Sequence, residues 1–349
     1  MLPPVLHVVR RYGCVGGMES YVWELTHHLV GLGLAVEVCC ESVHGNPDKR
    51  IKLHRVQRIT ERRRWKAMYQ FRDSVDHFVG EELERRTLVI HSHERSIRHH
   101  ITTFHGPPMQ ADKVFGGFSL FNRRVIAWER MEKEELFGKN IKFILPVSHK
   151  IKTELLQIHP ALDQSKMRVA WPGVGSAGSA LDGCIDATSR SKYLFVGKEW
   201  KRKGLDIAVG FLEQMQGRAQ IKLDVYGPAN RELPSFIRRS PIIDLKGWVD
   251  EIPWHEYAAL IHPARNEPFG MVVSEARANG LPVLVSDCVG SAELAFKGLE
   301  VCQLSAPPQR WREALVKLTS RSENYKPEKR WSWADLAELH IKDIYGFIY

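Results

Sequence analysis

The sequence predicts an α/β protein of two tandem units, each a parallel sheet with helices on both faces. Three observations lead there. The chain has 349 residues, more than one hydrophobic core usually organises. Short apolar runs alternate with helix-like segments in both halves, the pattern of a parallel sheet. Between the halves, SAGSALDGCIDATSRS (176–191) has no apolar periodicity and reads as a linker, after which the pattern restarts.

In the first unit VLHVV (5–9) is a short apolar strand. The glycine-rich turn GCVGGMES follows it and opens a helix over about 18–31. AVEVCC (35–40), LVIHSH (88–93), ITTFHG (101–106), KFILPVS (142–148) and MRVAWPGV (167–174) are further β-rich runs. Helical stretches at 120–137 and 149–158 lie between them. In the second unit KYLFVG (192–197), IKLDVYG (221–227), IIDLKGW (242–248), ALIHPAR (259–265), LPVLVSD (281–287) and LEVCQLS (299–305) are the strands. Helices are expected at 204–216, 270–279 and 309–320. The closing stretch, WSWADLAELHIKDIYGFIY, places Leu336, Leu339, Ile344 and Phe347 at helical spacing.

Composition excludes several classes. At 44% hydrophobic and 26% charged the chain reads as soluble and globular. Its six cysteines form no C-x-x-C pair, so neither a zinc knuckle nor a redox motif is indicated. The start, MLPPVLHVVRRYG, carries its arginines after the apolar run, the wrong order for a secretory signal. No apolar run approaches the roughly 18 residues that cross a bilayer, and a reducing cytoplasm is the expected location. The net charge of +9 is uneven: residues 1–175 hold 27 Lys+Arg against 19 Asp+Glu, and residues 176–349 hold 23 against 22. That asymmetry points the first half toward an anionic partner.

Ligands of open α/β sheets bind beyond the carboxyl ends of the strands, so polar groups just after strands carry the functional reading. Gly13, Gly16 and Gly17 follow the first strand, where bare backbone admits a phosphate or sugar to the helix N-terminus; the same residues also suit a plain strand-to-helix turn. HSHERSIRHHITTFHG is rich in histidine but lacks metalloprotease spacing. In it His105 ends a strand at the ligand edge. FVGKEWKRKGLD crowds Lys198, Lys201, Arg202 and Lys203 between Gly197 and Gly204. Cations beside a helix N-terminus cost about 0.3–1 kcal/mol each, a cost that a bound polyanion such as a diphosphate removes; a solvated basic loop is the bland alternative. RNEPFGMVVSEARANG (265–280) sets Glu267 at a strand end and Glu275 within the next helix, with free amides near Phe269, Gly270 and Met271. Glu275 suits a ribose diol; a cap at Glu267 and a surface pair at Glu275 are the alternatives.

Taken in this order and spacing, these residues resemble glycosyltransferase family 4, over nearly the whole chain. The Glu-x7-Glu motif runs from Glu267 to Glu275, GLPVLVSDCVGSAEL matches the next strand and glycine turn around Gly290, and Gly197 through Gly204 match the donor-diphosphate loop. Gly16-Gly17, His105-Gly106 and PVSHKIKTEL (146–155) also fit. The resemblance implies the GT-B fold, two Rossmann-like domains facing each other across a cleft. Residues 1–175 would bind the acceptor and residues 192–330 the nucleotide-sugar, with the helix at 331–349 packing back on the first domain. It implies transfer with retention of configuration and without a metal or other cofactor; no Asp-x-Asp motif is present.

It also assigns roles. Glu267, His105 and Lys203 would be catalytic. Gly16, Gly17, Lys198, Arg202, Lys203, Phe269, Gly270 and Met271 would hold the diphosphate and sugar, and Glu275 the nucleoside. Lys198 stands where the family usually has arginine, and Arg202 is the substitute. HPAR-x-E, Arg-Lys-Gly and Pro-Gly-Val look most like the lipopolysaccharide core branch. The expected reaction moves a hexose from a nucleotide-sugar, UDP-glucose in the first instance, to a lipopolysaccharide core oligosaccharide. GDP-mannose or another UDP-sugar with an exopolysaccharide or glycolipid acceptor is the alternative.

Residues 49–72 hold ten Lys+Arg and one acid, interleaved with Trp65, Met68, Tyr69 and Phe71. Arg62, Arg63, Arg64, Trp65 and Lys66 are therefore expected at an anionic, lipid-linked acceptor or at the cytoplasmic face of the inner membrane, as a peripheral contact. No nucleic acid is expected as partner. A non-catalytic basic protein tethered to membrane or nucleic acid is the reading of another class, and a nucleotide-sugar epimerase a second enzyme reading.

Overall fold

The computed structural model describes residues 2–109, 123–175, 191–215, 221–249, 251–320 and 331–348. The chain divides into two compact units, Met1–Gly173 with Trp331–Tyr349, and Val174–Arg330. The linker expected at 176–191 and residues 120–122 of an expected helix lie outside the described residues, apart from Ser191.

The first unit runs β1 (Val5–Val8), β2 (Arg11–Tyr12), α1 (Gly17–Gly31), β3 (Val36–Cys40), β4 (Ser42–Val43), β5 (Lys52–Arg55), α2 (Arg64–Arg85), β6 (Val89–Ser92), β7 (Ile101–Phe104), α3 (Arg123–Leu136), β8 (Phe143–Pro146) and α4 (His149–Ile158). Its main sheet has the order β5-β3-β1-β6-β7-β8, all parallel. β2 and β4 form a small parallel ladder of their own. The strands β1, β3, β6 and β7 are buried throughout, as runs of apolar residues between two helical layers must be.

The second unit runs β9 (Lys192–Val196), α5 (Leu205–Glu213), β10 (Lys222–Tyr226), α6 (Ser235–Arg238), β11 (Ile243–Gly247), β12 (Ala259–His262), α7 (Met271–Ala278), β13 (Val283–Ser286), β14 (Leu299–Cys302) and α8 (Pro308–Thr319). Its sheet, β11-β10-β9-β12-β13-β14, repeats the first topology, again all parallel. One face buries Phe195, Phe211, Leu212, Ile237 and Trp311, and the other Leu194, Leu260, Val273 and Val285. In both units the winding reverses between the first and fourth strands, β1 and β6 in one, β9 and β12 in the other. Loops leaving the carboxyl ends of such neighbours diverge and open a crevice for ligand.

Two expectations are corrected. MRVAWPGV is no strand: Met167 makes one bridge to Ile144, and the Ala170 amide donates to the Pro146 carbonyl. Pro172 has no N–H with which to continue a ladder. Phe347 is not part of the closing helix's buried face but 73% exposed. α9 (Trp333–Leu339) widens into a π turn over His340–Ile344, which rotates the following residues. Trp333, Leu336, His340, Ile344 and Tyr345 face inward instead.

α9 packs on α1 within the first unit. Ser332 and Asp335 cap it reciprocally, and the Trp331 indole donates to the Trp171 carbonyl at 2.8 Å. Gly173 makes the approach possible: a Cβ there would lie 2.3 Å from the Trp333 amide nitrogen.

The sequence reading missed β5 and the extent of α2. Only Ala67, Phe71, Val75 and Val79 of its 22 residues are buried, a stripe too narrow for periodicity to reveal.

Candidate active site

At the switch point of the second unit, the loop after β9 and the loop after β12 are fastened together. Arg265 makes a bidentate pair with Asp206, 2.8 Å on each side, and donates to the Lys201 carbonyl at 2.7 Å. The Arg265 amide bonds the Arg202 carbonyl at 2.8 Å. Gly204, at φ +78°, caps the start of α5 against the Pro263 carbonyl, and a Cβ there would sit 2.0 Å from that oxygen. Only glycine combines that conformation with that closeness.

Glu267 is the centre of this arrangement. It is buried, and its Oε2 lies 2.8 Å from Lys203 Nζ, 3.1 Å from Arg202 Nη1 and 3.6 Å from His262 Nε2. Burial alone would raise its carboxyl. The Lys203 charge and the Arg202 charge outweigh burial and hold the carboxyl far below the usual carboxylate range. Glu267 is therefore an anion at any physiological pH. It cannot donate a proton; it can anchor cations and accept hydrogen bonds.

Lys203 reaches Glu267 by running its stem over Gly197, where a Cβ would fall 2.7 Å from Lys203 Cδ. It spends one of its three donors there. Arg202 is more fully engaged, by Glu199 at 2.7 Å, by the Asn266 carbonyl at 2.8 Å and by Glu267. Lys198 is exposed, with no ion-pair partner among the described residues.

His262 is fully buried beside this group, and burial lowers its affinity for a proton, so it stands neutral. At 3.6 Å it is too far from Glu267 for a hydrogen bond. Neither ring nitrogen finds a hydrogen-bond partner among the described residues.

The Glu267 strand end is strapped to the next loop: its amide donates to the Cys288 carbonyl, the Gly290 amide to its own carbonyl, and the Ser291 amide to the Phe269 carbonyl at 2.7 Å. Gly270, at φ +93°, caps α7 with no side-chain oxygen on the helix start. Phe269 is buried and Met271 half-buried. Glu275 is exposed on α7, and its carboxylate has no ion-pair or hydrogen-bond partner among the described residues. Although the residue is exposed, partial loss of water around its carboxyl raises it, against the pull of Lys203.

In the first unit Gly16 caps α1 and Gly17 begins it. The carboxylate of Glu19 lies against Gly16, where a Cβ would meet its Oε2 at 2.5 Å, and Arg11 pairs with it. An acidic group therefore lies beside the glycines that were expected to offer a diphosphate bare backbone. His105 is half-buried, with its Nε2 3.1 Å from His93 Nδ1. His7, His91 and His93 bring ligand nitrogens within 4.8 Å of one another, a metal-capable grouping in which His91 and His93 come from the histidine-rich run and His7 from β1. Each of the three rings has both nitrogens in contact with another side chain.

Arg62, Arg63 and Arg64 are exposed at the N-terminus of α2, whose first turn has no acid and no side-chain cap. Arg64 stacks 6.0 Å from the Trp128 ring, and Lys66 5.7 Å from Trp65. Arg265, Asp206, His262 and Glu19 are the site residues that sequence reasoning missed. His262 and Arg265 stood in the quoted ALIHPAR run, but only three-dimensional pairing separates them from strand-end filler.

Residues 15–176 match the family model described as Glycosyltransferase Family 4, and residues 190–321 match that described as Glycosyl transferases group 1. An uncharacterized 41.2 kDa protein in the cps region of Klebsiella pneumoniae is 29% identical over 110 residues, about 30% of each chain. Among solved structures, WaaG, a glycosyltransferase involved in lipopolysaccharide biosynthesis, superposes with a TM-score of 0.76 at 17% identity, over 99% of this chain and 97% of its own. HepE of Anabaena, in complex with UDP and glucose, gives 0.71 at 13% identity, over 99% and 100%. Sucrose-phosphate synthase of Thermosynechococcus elongatus gives 0.70 at 16%, over 99% of each.

Proposed function

The chain belongs to the glycosyltransferases of the GT-B fold, its first half to family 4 and its second to group 1, and on that premise we propose that it moves a hexose from UDP-glucose to a lipopolysaccharide core oligosaccharide, with retention of configuration and without a metal. The observation that carries the reading is the Lys203–Glu267–Arg202 group at the switch point of the second unit. Departure of a nucleoside diphosphate builds negative charge on its oxygens. Lys203, with two donors unspent among the described residues and its stem running over Gly197, is placed to meet that charge. Glu267 holds Lys203 and accepts from the sugar hydroxyls. Glu275, without a partner among the described residues, takes the ribose diol. Phe269, Gly270 and Met271 offer helix-start amides. Arg202 serves as a fixed brace, and Lys198 as an exposed cation at the rim. His105 contacts the sugar or the acceptor.

Support for the donor comes from HepE, whose structure holds UDP and glucose. Support for the acceptor comes from WaaG's part in lipopolysaccharide biosynthesis and from the surplus charge of the first half. No helix among the described residues is long and apolar enough to cross a membrane. The basic start of α2, Arg62 through Lys66 with Trp65, is suited to a lipid-linked anionic acceptor at the cytoplasmic membrane face. Each basic residue there contributes about 1 kcal/mol at an anionic surface.

The test separates the two glutamates. In Glu275→Gln, affinity for UDP falls about tenfold or more, as loss of a charge-assisted hydrogen bond implies. In Glu267→Ala, UDP affinity is retained and turnover falls. Calorimetric titration with UDP and a nucleotide-release assay read the two effects; normal binding and normal turnover in both variants would refute the assignment.

A further inference from the structure

Behind His105 the first unit buries a row of imidazoles that the proposed reaction does not use. His7 on β1 lies in register with His91 on β6, and His93 follows on the same loop. His93 Nδ1 is 3.1 Å from His105 Nε2, and His93 Nε2 is 3.0 Å from His7 Nδ1. His7 Nε2 is 3.4 Å from the hydroxyl of Tyr345, in the closing segment of the chain. That hydroxyl is also 2.8 Å from His91 Nδ1, and His91 Nε2 is 2.7 Å from Thr103 Oγ1.

All these rings are neutral. Burial takes His7 and His105 down to about 3 and His91 and His93 well below their ordinary value. A neutral imidazole has one donor and one acceptor nitrogen. The contacts Tyr345–His7–His93–His105 can therefore all be made in only two ways. If the Tyr345 hydroxyl donates to His7 Nε2, every ring in the row carries its proton on Nδ1, and His105 presents an N–H at its free nitrogen. If His7 Nε2–H donates to the Tyr345 oxygen, every ring carries its proton on Nε2, and His105 presents a lone pair. Its Nδ1 has no other partner among the described residues.

We propose that His93, His7 and Tyr345 are positioning residues that form a concerted tautomer relay, through which the closing segment fixes whether His105 offers a donor or an acceptor. The row has no branch between Tyr345 and His105, so one hydroxyl decides three rings. The proposal deepens the reading of His105 above and rests on it for its effect on turnover; the relay itself stands on the distances and on the neutral rings.

The test uses the full chain labelled with ¹⁵N-histidine, with long-range ¹H–¹⁵N spectra that separate the two tautomers. In the wild type His7, His93 and His105 show the same tautomer. In Tyr345→Phe the His105 nitrogens change their signals, although His105 does not touch Tyr345, and turnover falls about tenfold with donor KM unchanged. Mixed tautomers in the wild type, or His105 signals unmoved in Tyr345→Phe, would overturn the relay, as would stoichiometric zinc held by His7, His91 and His93 in the purified protein. If Tyr345→Phe fails to fold, the wild-type spectrum alone decides. A His105 shift with unchanged turnover supports the relay and overturns instead the placing of His105 at the sugar or acceptor.

Discussion

Replacing Lys203 by methionine lowers turnover about 10²–10³-fold, the range seen when one preorganised donor to a developing anion is removed. The substitution keeps the stem that crosses Gly197 and deletes only the charge. Its second consequence is structural. Lys203 is the foremost charge opposing burial at Glu267, so that carboxyl moves back up toward the usual range. Arg202 still reaches Glu267 at 3.1 Å, which limits the loss of stability to about 1–3 kcal/mol. Adding Glu267→Gln to Lys203→Met removes the poorly paired buried charge and restores stability without restoring turnover. Thermal melts and nucleotide-release rates on the three variants check this. Equal losses of both quantities in every variant would make the pair structural and nothing more.

Acid destabilises the first unit steeply. His7, His91, His93, His99 and His340 are all buried. Burial lowers each of them, His7 to about 3 and His99 and His340 to about 4. In the unfolded chain they take up protons near pH 6.5. Below that pH the unfolded state binds more protons than the folded one, so stability falls as pH drops. Glu94 and Glu135 act the other way: burial raises both to about 7, and the folded state takes up their protons first. With His105, also lowered to about 3, and His100, the lowered groups outnumber the raised ones, so stability falls as pH drops from roughly 6 to 4.5, by about 1.4 kcal/mol per pH unit for each proton of imbalance. Denaturant midpoints measured between pH 7.5 and 5 should therefore fall throughout the lower part of that range. A flat profile would contradict the neutral, buried state of these rings.

The alternation of strands and helices was legible because strands buried on both faces, such as VLHV and VLVS, are nearly unbroken apolar runs. α2 was not, because a helix that shows one narrow stripe to the core and solvent elsewhere is mostly Arg, Glu and Asp. MRVAWPGV failed for the opposite reason: an apolar, β-branched composition says nothing about whether a partner's donors and acceptors are in reach. At the site, Glu267 and the Lys203 loop could be picked out singly as polar groups at strand ends. Their 2.8 Å pairing could not, since the two stand 64 positions apart and meet only because β9 and β12 are neighbours. The histidine row was visible as composition, but its continuity passes through His7 and Tyr345, at opposite ends of the chain. Glu19 went unread because its effect on Gly16 depends on how its side chain folds back over the first turn of α1.

The central claim is that the Lys203–Glu267 group serves hexosyl transfer from a nucleotide-sugar. Slow hydrolysis of the donor tests it most directly, with chelator present, across UDP-glucose, UDP-galactose, UDP-N-acetylglucosamine and GDP-mannose, wild type beside Glu267→Ala. The expected result is release of UDP from UDP-glucose by the wild type and its loss in the variant. Cleavage that the variant retains, or that stops when chelator is added, would contradict the account, and so would failure of all four donors either to bind or to be cleaved.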